Sequence, residues 1–563
     1  MRAVSVVFVV FVALFGAVLG SQRASVADQP YKAFAPMLAA DAAGPPATAG
    51  KIAISGTRFN SWDPHFSDFS QDIEHFHMVW RGLYEFDANM HPAPSMAAGM
   101  PSISGDGQTY TITLKPGLRW SDGHSLDAED FVAGIQRSCN PDIASHYEFI
   151  LTNIVGCDAY YAAAGASPAG KEALREGVGV KALNATTVEI KLQEPQPTLT
   201  SILTMWPTFP VPRHKVPTVA AAWPGPLDNV YNGPFRPTLS DAAKMELAPN
   251  PNWAGAQKPG VEEIVIHYID SATAVNAYRA GIIDATFVDA SQIAGLKGEF
   301  PAELYLYAST RTIGLQFNLN DPLLAKPGVR LALSRSIDRD VLNEVVFQGV
   351  NSPTTSWMPP ARSGAPAGTY DGILGLNVAA AQDDLADAGY PDGAGWPGLT
   401  FLLTDSALNR ALGEFLRAEW SAKLNISVQL EIVSSQERSD RFNSMDYQMV
   451  VGGWQEDYPD PENWFLGQWE TGGSINKTGT SIPALDALLA AAKSNANDAE
   501  RRQQYRDAEA ILLEEANGIA PLWHTQARFL VKPYISGMVE NKRPGDTFAP
   551  GGWSPEYWRP TKP

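Results

Sequence analysis

Beyond residue 260 the sequence keeps exchanging one hydrophobic period for another. Residues 261–269 form a strong strand-like run, and 272–280 have helical spacing. Further strand and helix segments follow at 312–318, 329–343, 378–388, 399–404, 408–423, 427–432, 448–452 and 499–515. Such repeated exchange excludes all-helical bundles and all-β sandwiches and requires an α/β architecture. The proline-rich stretch 206–237 holds little helix and is expected to carry the chain between lobes. Ahead of it lies a β-rich region. Residues 51–55 alternate as a first strand and 72–85 carry helical spacing. Strands are expected at 109–115 and 118–120, with a turn at 121–123. A helix begins at 127–130 with acids in its first turn, and 178–181 pairs with 187–192.

The chain has 563 residues, with 61 acidic against 42 basic side chains and a net charge of −19. That balance argues against nucleic acid or an anionic membrane as partner, since phosphate binding requires a basic surface. Arg2 precedes an apolar run over 4–19 broken only by Ser5, which reads as a secretory signal over 1–27. An Ala-, Pro- and Gly-rich leader over 28–50 follows. Ser21 stands where a lipoprotein would need its acylated cysteine, so a soluble exported protein is expected. The two cysteines, Cys139 and Cys157, suggest one local disulfide in an oxidising compartment, with two buried thiols as the alternative.

Two phosphate-binding motifs match by letter and fail by context. Gly393, Gly395 and Gly398 spell a dinucleotide fingerprint, but it lies after a helix and before a strand, with Pro397 blocking a helix start. Gly165, Gly170 and Lys171 spell most of a phosphate loop, but Glu172 replaces its hydroxyl residue. His75 and His77 lie two apart on a predicted helix and point different ways. They read as ordinary histidines, with a metal site adding His65 as the alternative. Asp457 and Asp460 could be drawn as the acid and base of a glycan hydrolase.

The most informative stretch is 447–461. Met449 to Val451 make a strand, and Gly452 and Gly453 let another backbone approach. Trp454 and Asp457 follow at the strand end, and Pro459 and Pro461 stop further pairing. A strand end with glycine, tryptophan and a lone carboxylate suits an extended ligand with a cationic end. The bland alternative is a packed strand with a capping Asp.

Here the chain resembles the family 5 extracellular solute-binding proteins of ABC importers, most closely the periplasmic oligopeptide-binding proteins. The resemblance rests on Trp62 to His65, Gly82 to Tyr84, Leu118 to Gly123 and Ala128 to Phe131. Asn232 to Phe235, Gly281 to Asp284, Phe317–Asn318, 329–333, 337–339, 388–390 and 453–458 continue it in family order. It implies a fold like the type II periplasmic binding proteins: two α/β lobes joined by a hinge, plus an inserted β-rich subdomain. Lobe I takes 51–90, 206–305 and 521–563, lobe II takes 91–205, and lobe III takes 306–520.

The resemblance also implies roles. Asp457 corresponds to the carboxylate that binds a peptide α-ammonium. Gly453, Trp454 and Gln455 correspond to the strand that hydrogen-bonds the peptide backbone, with Trp454 walling a side-chain pocket. Asp68, Phe69 and Ser70 correspond to the facing segment, where Phe69 replaces a smaller residue. Tyr147 and Asn232 match polar cleft positions. An arginine common three residues before the site tryptophan is Val451 here, and a common cysteine is Gln455, so the ligand's carboxyl end is open to Arg410, Arg438 or Arg441. The expectation is a periplasmic, monomeric peptide-binding component serving an inner-membrane ABC permease and its ATPase subunits. It would be non-enzymatic, without cofactor, metal or nucleic acid. Oligosaccharides or metal and haem chelates on the same fold, and an exported glycan hydrolase, are the alternatives.

Overall fold

The computed structural model describes residues 50–561 except 544 and 547. The expected signal segment and almost all of the leader lie outside the described residues.

One large mixed sheet organises the molecule. Its strands run in the order Val428–Val433, Leu399–Thr404, Met449–Gln455, Leu304–Phe317, Ile519–Val531, Ala285–Phe287, Lys51–Gly56, Glu263–Tyr268, Lys244–Pro249, Phe235–Ser240. The two central strands are the longest and pair antiparallel from Leu304↔Leu530 to Gln316↔Ile519. Their register breaks between Ala308 and Thr312. Two hydrophobic cores lie on either side of that break. Leu315, Phe317, Ile519 and Leu522 are buried with helices such as Ala407–Leu424 in one core, while Ala527, Phe529 and Val531 belong to the other.

A separate four-stranded sheet, Ser102–Ile103, Thr109–Thr113, Thr187–Lys191, Val180–Asn184, is covered by helix Ala128–Ser138. That helix begins in a capping box: the Asp127 side chain accepts from the Glu129 amide, and Asp130 reaches back to the Asp127 amide. Its C-cap, Cys139, is disulfide-bonded to Cys157 across 18 residues, with Cα atoms 5.1 Å apart.

Several elements differ from the sequence reading. The helix expected over 72–85 spans Ser70–Val79. The Gly233 amide takes the Val79 carbonyl, and Asn232 takes the Arg81 amide, so residues beyond Val79 are bonded by a distant segment instead of a further turn. The element expected over 329–343 is two helices, Pro327–Arg335 and Arg339–Phe347, because Asp338 caps the second. Residues 118–120 form only an isolated bridge, Arg119↔Ser125. Strand Ile519–Val531 was not foreseen: it is buried on both faces from Ile519 to His524, which erases alternation, and it contains Pro521.

Candidate functional site

The strand Met449–Gln455 is paired unequally on its two sides. Leu304–Phe317 pairs along all of it, from Phe317↔Met449 to Arg311↔Gln455. On the other side Leu399–Thr404 meets it only at Phe401↔Met449 and Leu402↔Val450. Among the described residues the edge from Val451 to Gln455 therefore carries no strand partner, and these five residues are half-buried. An unpaired edge is a template for another extended backbone. The two glycines serve the strand's own packing. A Cβ at Gly453 would run into the Thr312 carbonyl, and one at Gly452 into the Gln316 side chain. Gly453 thus admits the neighbouring strand's backbone, and Gly452 admits a side chain of that strand.

Asp457 sits just past the strand end and is buried. Its Oδ1 accepts from the Tyr147 hydroxyl at 3.1 Å, and its Oδ2 accepts from Asn463 Nδ2 at 3.2 Å. Asn463 Oδ1 in turn accepts from the Asp457 amide and from Trp454 Nε1, both at 2.9 Å. Asn463 thus locks strand, tryptophan and carboxylate into one unit. No Lys, Arg or His among the described residues pairs with Asp457. Burial pushes its pKa up to about 7; the Asn463 and Tyr147 hydrogen bonds pull it down, and the Glu456 charge pushes it up. Tyr147 is held far above its ordinary pKa by burial and by the facing charges of Asp457 and Asp68. Its ring meets Trp206 edge-on at 4.6 Å.

The other predicted residues fall in several places. Asp68 pairs with His146 at 3.1 Å, next to Tyr147, and Phe69 is 46% exposed at the cap of helix Ser70–Val79, of which Ser70 is the first residue. Trp454 is half-buried, with its ring 6.3 Å from that of Phe149. Gln455 turns its amide back to Thr310. Asn232 spends both polar atoms on the backbone of Arg81 and is buried there, so its side chain is structural. Arg410 pairs with Asp405 on the surface, and Arg441 pairs with Glu431 and Asp446. Arg438 alone of the three reaches the strand: its Nη2 donates to the Val451 carbonyl at 2.6 Å. Burial lowers its pKa. A guanidinium thus reaches Val451, the position at which the sequence lacks an arginine, from helix Ser435–Asn443.

Besides Asn463, two further residues escaped the sequence reading. His524 Nδ1 meets Thr312 Oγ1 at 2.9 Å, Thr312 lies opposite Trp454, and His524 Nε2 has no partner. Burial lowers its pKa to about 4, so it is neutral. Arg311, opposite Gln455, has an exposed side chain that no described residue bonds.

An open strand edge that ends in a buried carboxylate without a counter-charge, on a two-core sheet crossed by two long strands, defines a ligand-binding protein with the type II periplasmic-binding-protein fold. The sequence profile of the bacterial extracellular solute-binding proteins, family 5, matches residues 91–476. The chain belongs to that family. It is 31% identical over 469 residues to the probable deoxycholate-binding periplasmic protein YgiS of Escherichia coli, covering 82% of this chain and 85% of that one. It is 29% identical over 499 residues to the E. coli periplasmic oligopeptide-binding protein OppA, covering 86% and 88%. An oligopeptide-binding protein of Borrelia burgdorferi superposes with a TM-score of 0.75 at 26% identity, covering 86% of this chain and 96% of that one. No helix among the described residues is long and apolar enough to cross a membrane.

Proposed function

We propose that this protein captures short peptides in the periplasm and delivers them to an ABC permease. Asp457 would pair with the peptide α-ammonium, and the free edge from Val451 to Gln455 would hydrogen-bond the peptide backbone. The observation that carries this reading is the buried Asp457 carboxylate with no cation beside it. A buried carboxylate costs several kcal/mol unless a positive charge joins it, and an α-ammonium supplies one. Arg438 would hold the carboxyl end. The free strand edge from Val451 to Gln455 spans four strand steps, about 13 Å, the length of roughly four extended peptide residues.

The relative named for deoxycholate raises a second reading. Deoxycholate is itself a carboxylate, and Asp457 would repel it, so the same residue favours peptides. The deciding experiment is calorimetric titration of ligand-stripped protein with a tri- to pentapeptide library, its N-acetylated counterpart, and deoxycholate. Tight peptide binding that drops at least about 30-fold on acetylation, equivalent to ~2 kcal/mol, supports capture through Asp457. Binding indifferent to acetylation removes Asp457 from the reading. Saturable deoxycholate binding with no peptide binding overturns it.

A further inference from the structure

Far along the chain from Asp457, three side chains from two segments converge on one point. Asp122 Oδ2 lies 3.0 Å from His124 Nδ1 and 2.9 Å from His214 Nε2. The two imidazoles stack with centroids 4.1 Å apart and planes 15° from parallel, so one ring would turn about its side-chain torsions before both in-plane lone pairs meet at one ion. We propose that Asp122, His124 and His214 form a surface site for a divalent transition metal such as zinc.

The geometry supports this beyond the mere presence of three ligands. In a tetrahedral zinc site with bonds of about 2.0–2.1 Å, neighbouring donor atoms lie about 3.3–3.4 Å apart. The oxygen–nitrogen spacings would open by ~0.4 Å, and one of the stacked rings would rotate, to admit the ion. Each ligand is braced from behind. Asp122 sits in a turn closed by the Gly123 amide on the Trp120 carbonyl and the Trp120 amide on the His124 carbonyl, both 2.9 Å. Its other oxygen, Oδ1, accepts from the His124 amide at 3.1 Å, which fixes the carboxylate and leaves Oδ2 to the rings. Gly123 takes φ +93°, which permits the tight turn. On the second segment the Val216 amide bonds the Pro212 carbonyl at 2.9 Å, and Arg213 is anchored to Asp127 and Asp130 at 2.7 and 2.8 Å. His214 is therefore presented by a held turn. Such outer bonds orient metal ligands.

Two imidazoles and one carboxylate suit zinc, nickel or copper better than magnesium or calcium, which prefer oxygen donors. Three protein ligands leave at least one position to water. Neutral imidazole binds metal through an unprotonated nitrogen, so the ion would replace any proton on His124 Nδ1 and His214 Nε2. A bound ion would stitch the 121–124 turn to the 212–216 segment.

The test is titration of the untagged protein with Zn²⁺ at pH 7.5 in a non-chelating buffer. The expected result is one equivalent bound with micromolar affinity, weakened at least 30-fold in both His124→Gln and His214→Gln and unchanged in His91→Gln. Each variant is checked for native circular dichroism. Wild-type protein supplies an independent readout: Zn²⁺ protects His124 and His214, but not His91, from diethyl pyrocarbonate. No binding below 1 mM Zn²⁺, affinity indifferent to both substitutions, or no selective protection overturns the proposal.

Discussion

Asp457 and Asp460 lie three residues apart in one loop, and both are buried. Asp460 faces a guanidinium: Arg501 Nη1 meets its Oδ1 at 2.7 Å, and a second Arg501 nitrogen bonds Oδ2. It also caps the short helix Pro461–Trp464 through the Glu462 amide. Burial raises its pKa to about 6, with the Arg501 charge pulling it back. Asp457 receives only neutral donors and rises to about 7. The same loop thus holds one carboxylate whose counter-charge is built into the chain and one whose counter-charge is left out. The first serves the fold. Under the proposed function the second takes its cation from the ligand.

That contrast can be broken by exchanging what each carboxylate loses. Asp460→Asn leaves Arg501 buried without its partner, and unfolding in urea is expected to show a loss of ~3–5 kcal/mol. Asp457→Asn should leave the urea midpoint above pH 7 unchanged or higher, because it removes an uncompensated charge. The same variant should lose ~2–5 kcal/mol of peptide affinity by calorimetry. If Asp457→Asn destabilises the fold as much as Asp460→Asn does, the two carboxylates are equivalent and the contrast fails.

The carboxyl end sharpens it further. Arg438→Gln should weaken peptides with free carboxylates by about 1.5–3 kcal/mol, the range for a hydrogen bond to a charged group, and spare C-terminally amidated ones. Equal losses for both would place Arg438 in the support of Val451 only. Acidity gives a smaller, graded effect. Asp457 titrates near 7 in the ligand-free fold, above its ordinary 3.8. The folded state therefore holds its proton more tightly than the unfolded chain does. The stability this contributes is complete below pH ~4 and is lost as pH rises through about 7. Peptide affinity moves the opposite way, because the proton must leave before the ammonium pairs. It should fall by up to tenfold per unit below pH 7, and Asp457→Asn should abolish that slope. The smallest expected change is at Phe69→Ser: an exposed side chain should cost under about 1 kcal/mol in stability, so any large shift in peptide preference would mark it as a contact.

The α/β rhythm was legible because its strands and helices satisfy their own local rules. The capping box at Asp127 and the strand at Leu399–Thr404 can be read from neighbours in sequence. What failed to show depends on partners hundreds of residues away. The helix stops before Trp80 because the Gly233 amide takes the Val79 carbonyl, and the Trp80 indole donates to Val230. Strand Ile519–Val531 looks unlike a strand because both its faces are covered. Within the site, Asp457 and Trp454 were legible as a motif, whereas Asn463, which orients both, was not. Asn232 carried a family position but no visible sign that Arg81 would claim it. Arg438 was one of three equivalent arginines until helix Ser435–Asn443 was placed against Val451. Arg311 and His524 announce themselves only through missing partners, which no linear pattern encodes.

Strands Leu304–Phe317 and Ile519–Val531 begin in one core and finish in the other, side by side, with their ladder interrupted near residues 309–311. Two adjacent paired ribbons tie the cores together, so any displacement of one core against the other would be concentrated where their ladder is interrupted. Under the proposed function, closure on a peptide beside Asp457 would be expressed at that crossing, and a permease that reads the resulting outline would register cargo without reading its sequence.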